Sequence, residues 1–181
     1  MIEEQGIIGH QMRYSETSLI ITWLTQHHGL IRTMAKGVLK SKKNPSLDLF
    51  YQATFSFRKA RTGHLHTLGS VDILNMHSHL RSSYAHFVCA SYFFELIRST
   101  VEEEAPVLEV YELMEKALDY LTHHPPTTLL VERFERRLLK LLGYGDLSES
   151  KWKSQLGIRP LKSYTLLQKE LSHRLFSAED P

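Results

Sequence analysis

The spacing of the apolar residues changes near residue 76, and this change limits the folds that the chain can adopt. Before it, apolar and polar residues alternate, and the clearest example places five apolar residues on one side: Leu49, Tyr51, Ala53, Phe55 and Phe57. A period of two is typical of a strand with one buried face. After residue 76, apolar residues recur three and four positions apart, which is the period of a helix. The sequence therefore predicts an α+β protein, with strands first and helices second.

The first part, 1–76, is predicted to form a small barrel. Five short strands are expected, separated by Gly, Asn, Pro and basic clusters, at 7–12, 19–24, 30–36, 49–57 and 64–71. A sheet of this size must hide its edges, because exposed edges pair with other chains. A closed or nearly closed barrel satisfies that need.

The second part, 77–181, is predicted to be helical. One helix includes Tyr84 and Tyr92, and three more are expected at 107–121, 128–142 and 163–176. Pro125 and Pro126 end the second of these four helices, since proline cannot continue the backbone hydrogen bonds. Gly143 ends the third.

Composition is ordinary for a globular protein, at 42% apolar and 23% charged residues. The one cysteine, Cys89, lies among apolar residues and is predicted to be a packing residue. No apolar run approaches the roughly 20 residues that cross a bilayer. We expect a cytoplasmic protein without a membrane segment.

The net charge of +2 is unevenly distributed. Residues 1–80 carry nine Lys and Arg against five Asp and Glu, whereas residues 81–181 carry thirteen against fifteen. The basic excess is confined to the predicted barrel. A polyanionic partner of this part of the chain is therefore an option.

Two basic clusters supply this excess. The residues predicted to bind a polyanion are Arg32, Lys36, Lys40, Lys42, Lys43, Arg58, Lys59 and Arg61. The first five fall within 29–46 without an acidic residue, and such crowded like charges are favoured where an anion neutralises them. A solvated lysine loop is the alternative. Four aromatic residues of the same region, candidates for base stacking or for the core, are Tyr14, Trp23, Phe50 and Tyr51.

Motifs of catalysis and metal binding are missing from the sequence. It has no phosphate-binding glycine loop followed by Lys-Ser or Lys-Thr, no GxSxG turn and no HExxH helix. Its paired histidines lack the spacing that closes a zinc site. The acidic run 102–104 fits the solvated start of the next helix. The sequence predicts neither an enzyme nor a bound metal or cofactor.

Four stretches resemble the RecO family, in the same order along the chain. Residues 14–37 are similar to its N-terminal signature, with a Ser-Glu-Thr-Ser turn, a Thr-x-x-x-Gly turn and a strand ending in Ala-Lys-Gly. Residues 91–97, 133–145 and 160–167 resemble its Tyr-x-x-Glu-Leu helix, its Arg-Phe-Glu helix and its Pro-Leu-Lys-Ser segment.

The resemblance implies an N-terminal OB-fold and a C-terminal helical domain. It also implies a recombination mediator that binds single- and double-stranded DNA and anneals complementary strands. Its implied partners are RecR, in some lineages RecF, and the tail of single-strand-binding protein (SSB), with RecA loaded onto SSB-coated strands. A cytoplasmic, nucleoid-associated location follows from these roles.

The chain departs from the family pattern between Gly145 and Pro160. Many relatives carry a long insertion there, often with a four-cysteine zinc module, so the resemblance implies no zinc in this chain. The residues matching the family's SSB-tail site are Arg133, Leu138 and Leu142. Two other functions remain open: an adaptor that binds RecR or SSB with little DNA binding of its own, and an RNA-binding OB module.

Overall fold

The structure is a computed structural model that describes residues 1–40, 47–145 and 152–177, with side chains through Ser172. It divides into two compact units. The barrel unit contains Met1–His77 and Val101–Glu112, and the helical unit contains Ser78–Thr100 and Leu113–Pro181. The predicted boundary at residue 76 placed residues 101–112 with the helices, whereas here they pack with the barrel.

In the described part of the barrel unit, the strands are β1 (Ile2–Arg13), β2 (Leu19–Thr25), β3 (Gly29–Ala35), β4 (Gln52–Arg58) and β5 (Leu65–Asn75). They close in the order β1-β2-β3-β5-β4. All neighbours are antiparallel except β3 and β5, which pair in parallel. A closed barrel of five strands followed by helices confirms the predicted architecture, an OB-fold and a helical domain.

The barrel core follows from the alternation in the sequence. The residues that point inward are Ile8, Ile21, Trp23, Ile31, Ala35, Ala53, Phe55 and Phe57. Trp23 stacks on Phe55 with ring centroids 4.0 Å apart, and its indole N–H donates to Thr33 Oγ1 at 2.8 Å. Trp23 is therefore a fully satisfied core residue.

The alternation breaks at Phe50, so β4 begins later than the predicted strand at 49–57. Phe50 has a φ of 64° and is 1% exposed. Its N–H donates to Ile8 C=O, and Tyr51 C=O accepts from Ile8 N–H. A left-handed residue cannot continue a regular strand, and the ladder with β1 therefore starts at Gln52.

The helices that follow within the described residues are α1 (His79–Ser82), α2 (Tyr84–Thr100), α3 (Leu108–His123), α4 (Thr128–Leu141), α5 (Trp152–Gln155) and α6 (Lys162–Ser177). The first residues of α3 belong to the barrel unit and the rest to the helical unit. Thr127 caps α4, accepting from Leu130 N–H at 3.2 Å. Gly143, with a φ of 82°, follows the end of α4.

In the helical unit, α2 packs against α6 and α4. Phe93 of α2 stacks on Phe134 of α4 with ring centroids 3.9 Å apart. Cys89 is buried and free, and burial raises the pKa of its thiol to about 12, as expected for a packing residue. Within the described residues, no helix is long and apolar enough to span a bilayer.

Candidate nucleic-acid interface

Three basic residues share the outer face of β3 and β4. Ile31, Thr33 and Ala35 are buried, so the alternation of the strand directs Arg32 outward, and Lys36, which directly follows the strand, is exposed. Met34 pairs with Thr67 of β5, and Thr67 pairs with Arg58 of β4. Two strand spacings, or about 10 Å, therefore separate the backbones of β3 and β4 on this face. We call Arg32, Lys36 and Arg58 the basic wall.

Two turns extend the basic wall with further exposed cations. The β4–β5 turn carries Lys59 and Arg61, and the turn after β3 carries Lys40. These three side chains form no salt bridge with any other residue that the structure describes. The same holds for Lys36 and Arg58. Lys42 and Lys43, also predicted to bind a polyanion, lie outside the described residues. Lys36 further lines a cleft of about 110 Å³ with Gly69 and Ser70 of β5.

Arg32 differs from the other basic residues, because it has an internal partner. Its Nε lies 3.0 Å from Glu103 Oε1, and its Nη2 donates to Glu103 Oε2 at 3.1 Å. The two side chains are 42% and 43% exposed. Water screens such a pair, which contributes little to stability. Glu103 thus occupies the Nε and Nη2 donors of Arg32, which would otherwise be open to an external anion.

Glu103 belongs to a short segment, residues 101–105, which we call the strap. The strap adds a bridge in parallel to the start of β3, where Glu104 N–H donates to Leu30 C=O at 2.9 Å. Gly29 permits this approach: its φ is 64°, and a Cβ there would lie 1.9 Å from Ala105 O. The expectation that 102–104 begins a solvated helix is wrong, since α3 starts at Leu108.

Two histidines of the β4–β5 region face Glu104. His64 Nδ1 lies 2.7 Å from Glu104 Oε1, and this hydrogen bond is the main cause that lowers the pKa of the carboxyl. His66 Nε2 lies 3.5 Å from the same oxygen. His66 is buried and stacks on Phe57, and burial lowers the pKa of its imidazole against the attraction of Glu104. His66 is therefore neutral at physiological pH.

A second carboxylate, that of Glu4 in β1, also binds histidines, and these lie in the β2–β3 turn. The Glu4 side chain is fully buried, and His27 Nδ1 lies 3.1 Å from its Oε1. His28 Nδ1 contacts the other oxygen of Glu4. His27 and His28 thus partner one buried carboxylate. In the described part of the chain, no group of three His, Cys, Asp or Glu side chains is arranged to hold a metal.

The four candidate stacking residues have different surroundings. Trp23 and Phe50 are at most 1% exposed, and Tyr51 is half-buried and packs against the barrel core. Tyr14 is 60% exposed. Of the four, Tyr14 alone is open to a ligand.

The helical unit contains a groove of about 400 Å³ between α3 and α4. Its lining includes three cations, Lys116, Arg133 and Arg137. It also includes the exposed apolar side chains of Tyr120 and Leu129, which are 43% and 53% exposed.

Of the three residues predicted to bind the SSB tail, one lines this groove and two do not. Arg133 lines it. Leu138, however, is fully buried, and neither Leu138 nor the half-buried Leu142 is among the lining residues. The sequence spacing missed Lys116 and Tyr120, because they come from α3 and meet Arg133 only after folding.

Another cation of the helical unit is enclosed by aromatic rings. Lys153 Nζ lies 3.8 Å from the Tyr164 ring centroid, with the rings of Tyr92 and Trp152 at 5.2 and 5.4 Å. It also donates to Glu135 Oε1 at 2.7 Å, an oxygen that Tyr92 OH contacts as well. Burial, together with Glu135, raises the pKa of Tyr92 and of Tyr164.

The strand order and the helices after the barrel define a two-domain OB-fold protein. The family model for the N-terminal domain of recombination protein O matches residues 1–77, and the model for its C-terminal domain matches residues 81–149. Both halves of the chain match, in order, the two domains of one family. The chain therefore belongs to the RecO family, as its sequence motifs predict.

Curated relatives agree with this assignment. A DNA repair protein RecO of Syntrophus aciditrophicus is 30% identical over 142 residues, 77% of this chain and 55% of the relative. One from Macrococcus caseolyticus is 31% identical over 140 residues, with the same shares of each chain. One from Bacillus pumilus is 29% identical over 145 residues, 79% of this chain and 56% of the relative. The chain thus spans little more than half the length of these relatives.

Proposed function

We propose that this protein acts without catalysis in DNA repair and recombination, and that its barrel unit binds single-stranded DNA through the phosphates. One observation carries the proposal. Lys36 and Arg58 share one outer face, flanked by Lys40, Lys59 and Arg61, and these five exposed cations have no salt-bridge partner between the described residues. Such a surface attracts a polyanion and does not select a base sequence.

Binding would release the counterions condensed on the strand. If about five phosphates are neutralised, the logarithm of the affinity falls with the logarithm of salt concentration at a slope of about −3.5 for single strands. Lys42 and Lys43 fall in the same basic run of the sequence and add to this charge. Replacing Lys40, Lys42 and Lys43 with Ala should weaken binding and leave the thermal midpoint nearly unchanged, because exposed charges contribute little to folding.

Membership of the RecO family supports the finer parts of the proposal. These are binding to duplex as well as single-stranded DNA, annealing of complementary strands, and cooperation with RecR and, where present, RecF. The outcome would be RecA loaded onto strands coated with SSB, in the cytoplasm at the nucleoid. Because the chain spans little more than half of its curated relatives, each of these activities needs its own assay.

The groove of the helical unit suits the acidic and apolar tail of SSB. Lys116, Arg133 and Arg137 would attract its carboxylates, and Tyr120 and Leu129 would cover an apolar side chain. A fluorescent peptide that ends in acidic residues and one large apolar residue tests this. Arg133→Ala with Arg137→Ala should weaken the peptide at least tenfold, whereas Arg98→Ala, on an exposed part of α2, should not. Equal affinity for both variants would argue against this groove.

Titration of the purified chain with labelled single-stranded DNA at several salt concentrations tests the main proposal. We expect binding with a steep negative salt slope. An affinity that does not change with salt concentration would overturn the phosphate mechanism. Absence of binding by the chain alone would favour the second candidate, an adaptor that acts on RecR or SSB. RNA that wins a direct competition by tenfold, about 1.4 kcal/mol, would favour an RNA-binding module.

A further inference from the structure

Tyr14 is an exposed aromatic side chain on a barrel whose other large rings are buried or half-buried. It is 60% exposed, whereas Phe50, Phe55 and Phe57 are at most 1% exposed. Among the Phe, Trp and Tyr residues that the structure describes in the barrel unit, no other is exposed. The ring of Tyr14 adds little to the core and offers its faces to a ligand.

The backbone that carries Tyr14 is held in place by hydrogen bonds. The N–H groups of Tyr14 and Ser15 both donate to Ser18 C=O, at 3.0 and 3.3 Å. The Arg13 side chain donates to Ser15 C=O at 3.3 Å and to Glu16 C=O at 3.5 Å. Because this turn is ordered before a ligand arrives, contact with the ring costs little conformational entropy.

The turn of Tyr14 is bonded to the turn that carries Lys40. Leu39 N–H donates to Thr17 C=O at 3.2 Å, and Lys40 N–H donates to Gly37 C=O at the same distance. Leu39 itself is 46% exposed. A ring, an apolar side chain and a cation therefore lie on two joined turns at the end of the basic wall. Glu16 is the acidic residue of this surface, and the Arg13 guanidinium lies beside its backbone carbonyl.

We propose that Tyr14 stacks on an unpaired base of a strand whose phosphates lie along Lys36 and Lys40. This inference rests on the proposed function and deepens it. An aromatic ring stacks on any base without regard to sequence. In a duplex, the base faces are already stacked on one another, so the ring has nothing to cover there. Tyr14 thus makes the barrel unit prefer single strands to duplexes.

The test compares Tyr14→Ala with the wild-type chain on two ligands, a labelled single strand and a closed hairpin duplex without free ends. We expect the variant to bind the single strand about tenfold more weakly and the duplex equally well. Tyr14→Phe should keep the wild-type affinity, because the ring is retained. Tyr144→Ala, which removes an exposed ring of the helical unit, should change neither affinity.

A strand with abasic sites adds a second readout. Wild-type chain and Tyr14→Ala should bind the abasic strand with the same affinity, since no base is present to stack. An equal loss on single strand and duplex, or no loss on either, would overturn the stacking role while leaving the phosphate mechanism intact. If the wild-type chain bound none of these strands, the proposed function itself would fail. The thermal midpoint of Tyr14→Ala, expected to match the wild-type value, excludes unfolding as the cause.

Discussion

The two units each hold a cation against a glutamate, in opposite surroundings. In the barrel unit, Arg32 pairs with Glu103, and both side chains are more than 40% exposed. In the helical unit, Lys153 pairs with Glu135, whose side chain is 13% exposed, and three rings surround the ammonium group. In the first pair, an external anion can replace the glutamate. In the second pair, the surrounding rings leave little room for such an exchange.

This difference predicts different roles for the two pairs. An exposed pair exchanges partners at low cost, because water already solvates both charges. A largely buried pair cannot lose one member without leaving the other charge in a poorly solvated site. Changes to the buried pair should therefore act on stability, and changes to the exposed cations should act on binding.

The largest effect is expected for Lys153→Ala. It leaves Glu135 with the Tyr92 hydroxyl and the Trp152 indole but without a counter-charge. The free energy of unfolding of the helical unit, measured in urea, should fall by about 2 kcal/mol. This is less than the full cost of breaking a buried pair, because Lys153 is 26% exposed. Lys169→Ala, on an exposed position of α6, is the control. If both variants unfolded at the same urea concentration, the enclosed pair would carry no structural role.

The next effect is expected for the triple variant Lys36→Ala, Arg58→Ala and Lys59→Ala, which removes two cations of the basic wall and one of the adjoining β4–β5 turn. Three lost phosphate contacts should make the salt slope shallower by about 2 and weaken single-strand binding by about 30-fold at moderate salt. A matched triple variant of exposed cations in the helical unit, Arg98→Ala, Lys162→Ala and Lys169→Ala, should bind almost as the wild type does. Similar losses in both would mean that net charge, rather than this face, governs binding.

How far the sequence predicts these regions depends on how far apart the contacting residues lie in the chain. Alternation predicts the barrel and its buried Trp23 and Phe55, because the pleat of a strand decides which residues share a face. Arg32 and Glu103 are 71 residues apart, and no local pattern joins them. The left-handed conformation of Phe50 likewise depends on the hydrogen bonds that Phe50 and Tyr51 form with Ile8 of β1.

The groove between α3 and α4 shows the same limit. A helical pattern identifies α3 and α4 separately, but which side chains line the space between them depends on packing. Arg133 was found from its match to the family motif, whereas Leu138 on the same helix turns into the core. The helical period alone did not exclude Leu138, since it marks the apolar face as a whole.

A smaller effect, of opposite sign, is expected for Glu103→Gln. Removing the internal carboxylate leaves Arg32 available to a phosphate, so single-strand affinity should rise about threefold and the salt slope should steepen by about 0.7. Glu102→Gln is a closely matched control, because it removes the same charge from the neighbouring exposed residue of the strap. If both variants gained equally, the effect would be one of general charge, and the pairing of Arg32 with Glu103 would not limit binding.

The smallest effect is the pH dependence of the barrel unit. Burial lowers the pKa of His66 against the attraction of Glu104 and with the repulsion of Lys59, His64 and His28. As the pH falls, His66 is therefore protonated in the unfolded chain before it is protonated in the folded one. The free energy of unfolding declines as the pH falls below about 6.5. The pKa of Glu104 is lowered too, mainly by its bond from His64. Its contribution is present above its ordinary value of 4.5 and is lost as the pH falls through its folded pKa.

Thermal unfolding of the wild type and of His66→Phe, measured between pH 7.5 and 5.5, separates these two groups. Phenylalanine retains the ring that stacks on Phe57 but carries no proton in this range, so the variant should lose less stability than the wild type on acidification. His123→Phe, at an exposed position of α3, should follow the wild-type curve. Parallel curves for all three proteins would mean that burial of His66 does not couple the fold to pH. Above pH 5 the carboxyl of Glu104 stays ionised in both folded and unfolded chains. Its ionisation therefore should not change the stability of the barrel unit between pH 7.5 and 5.5.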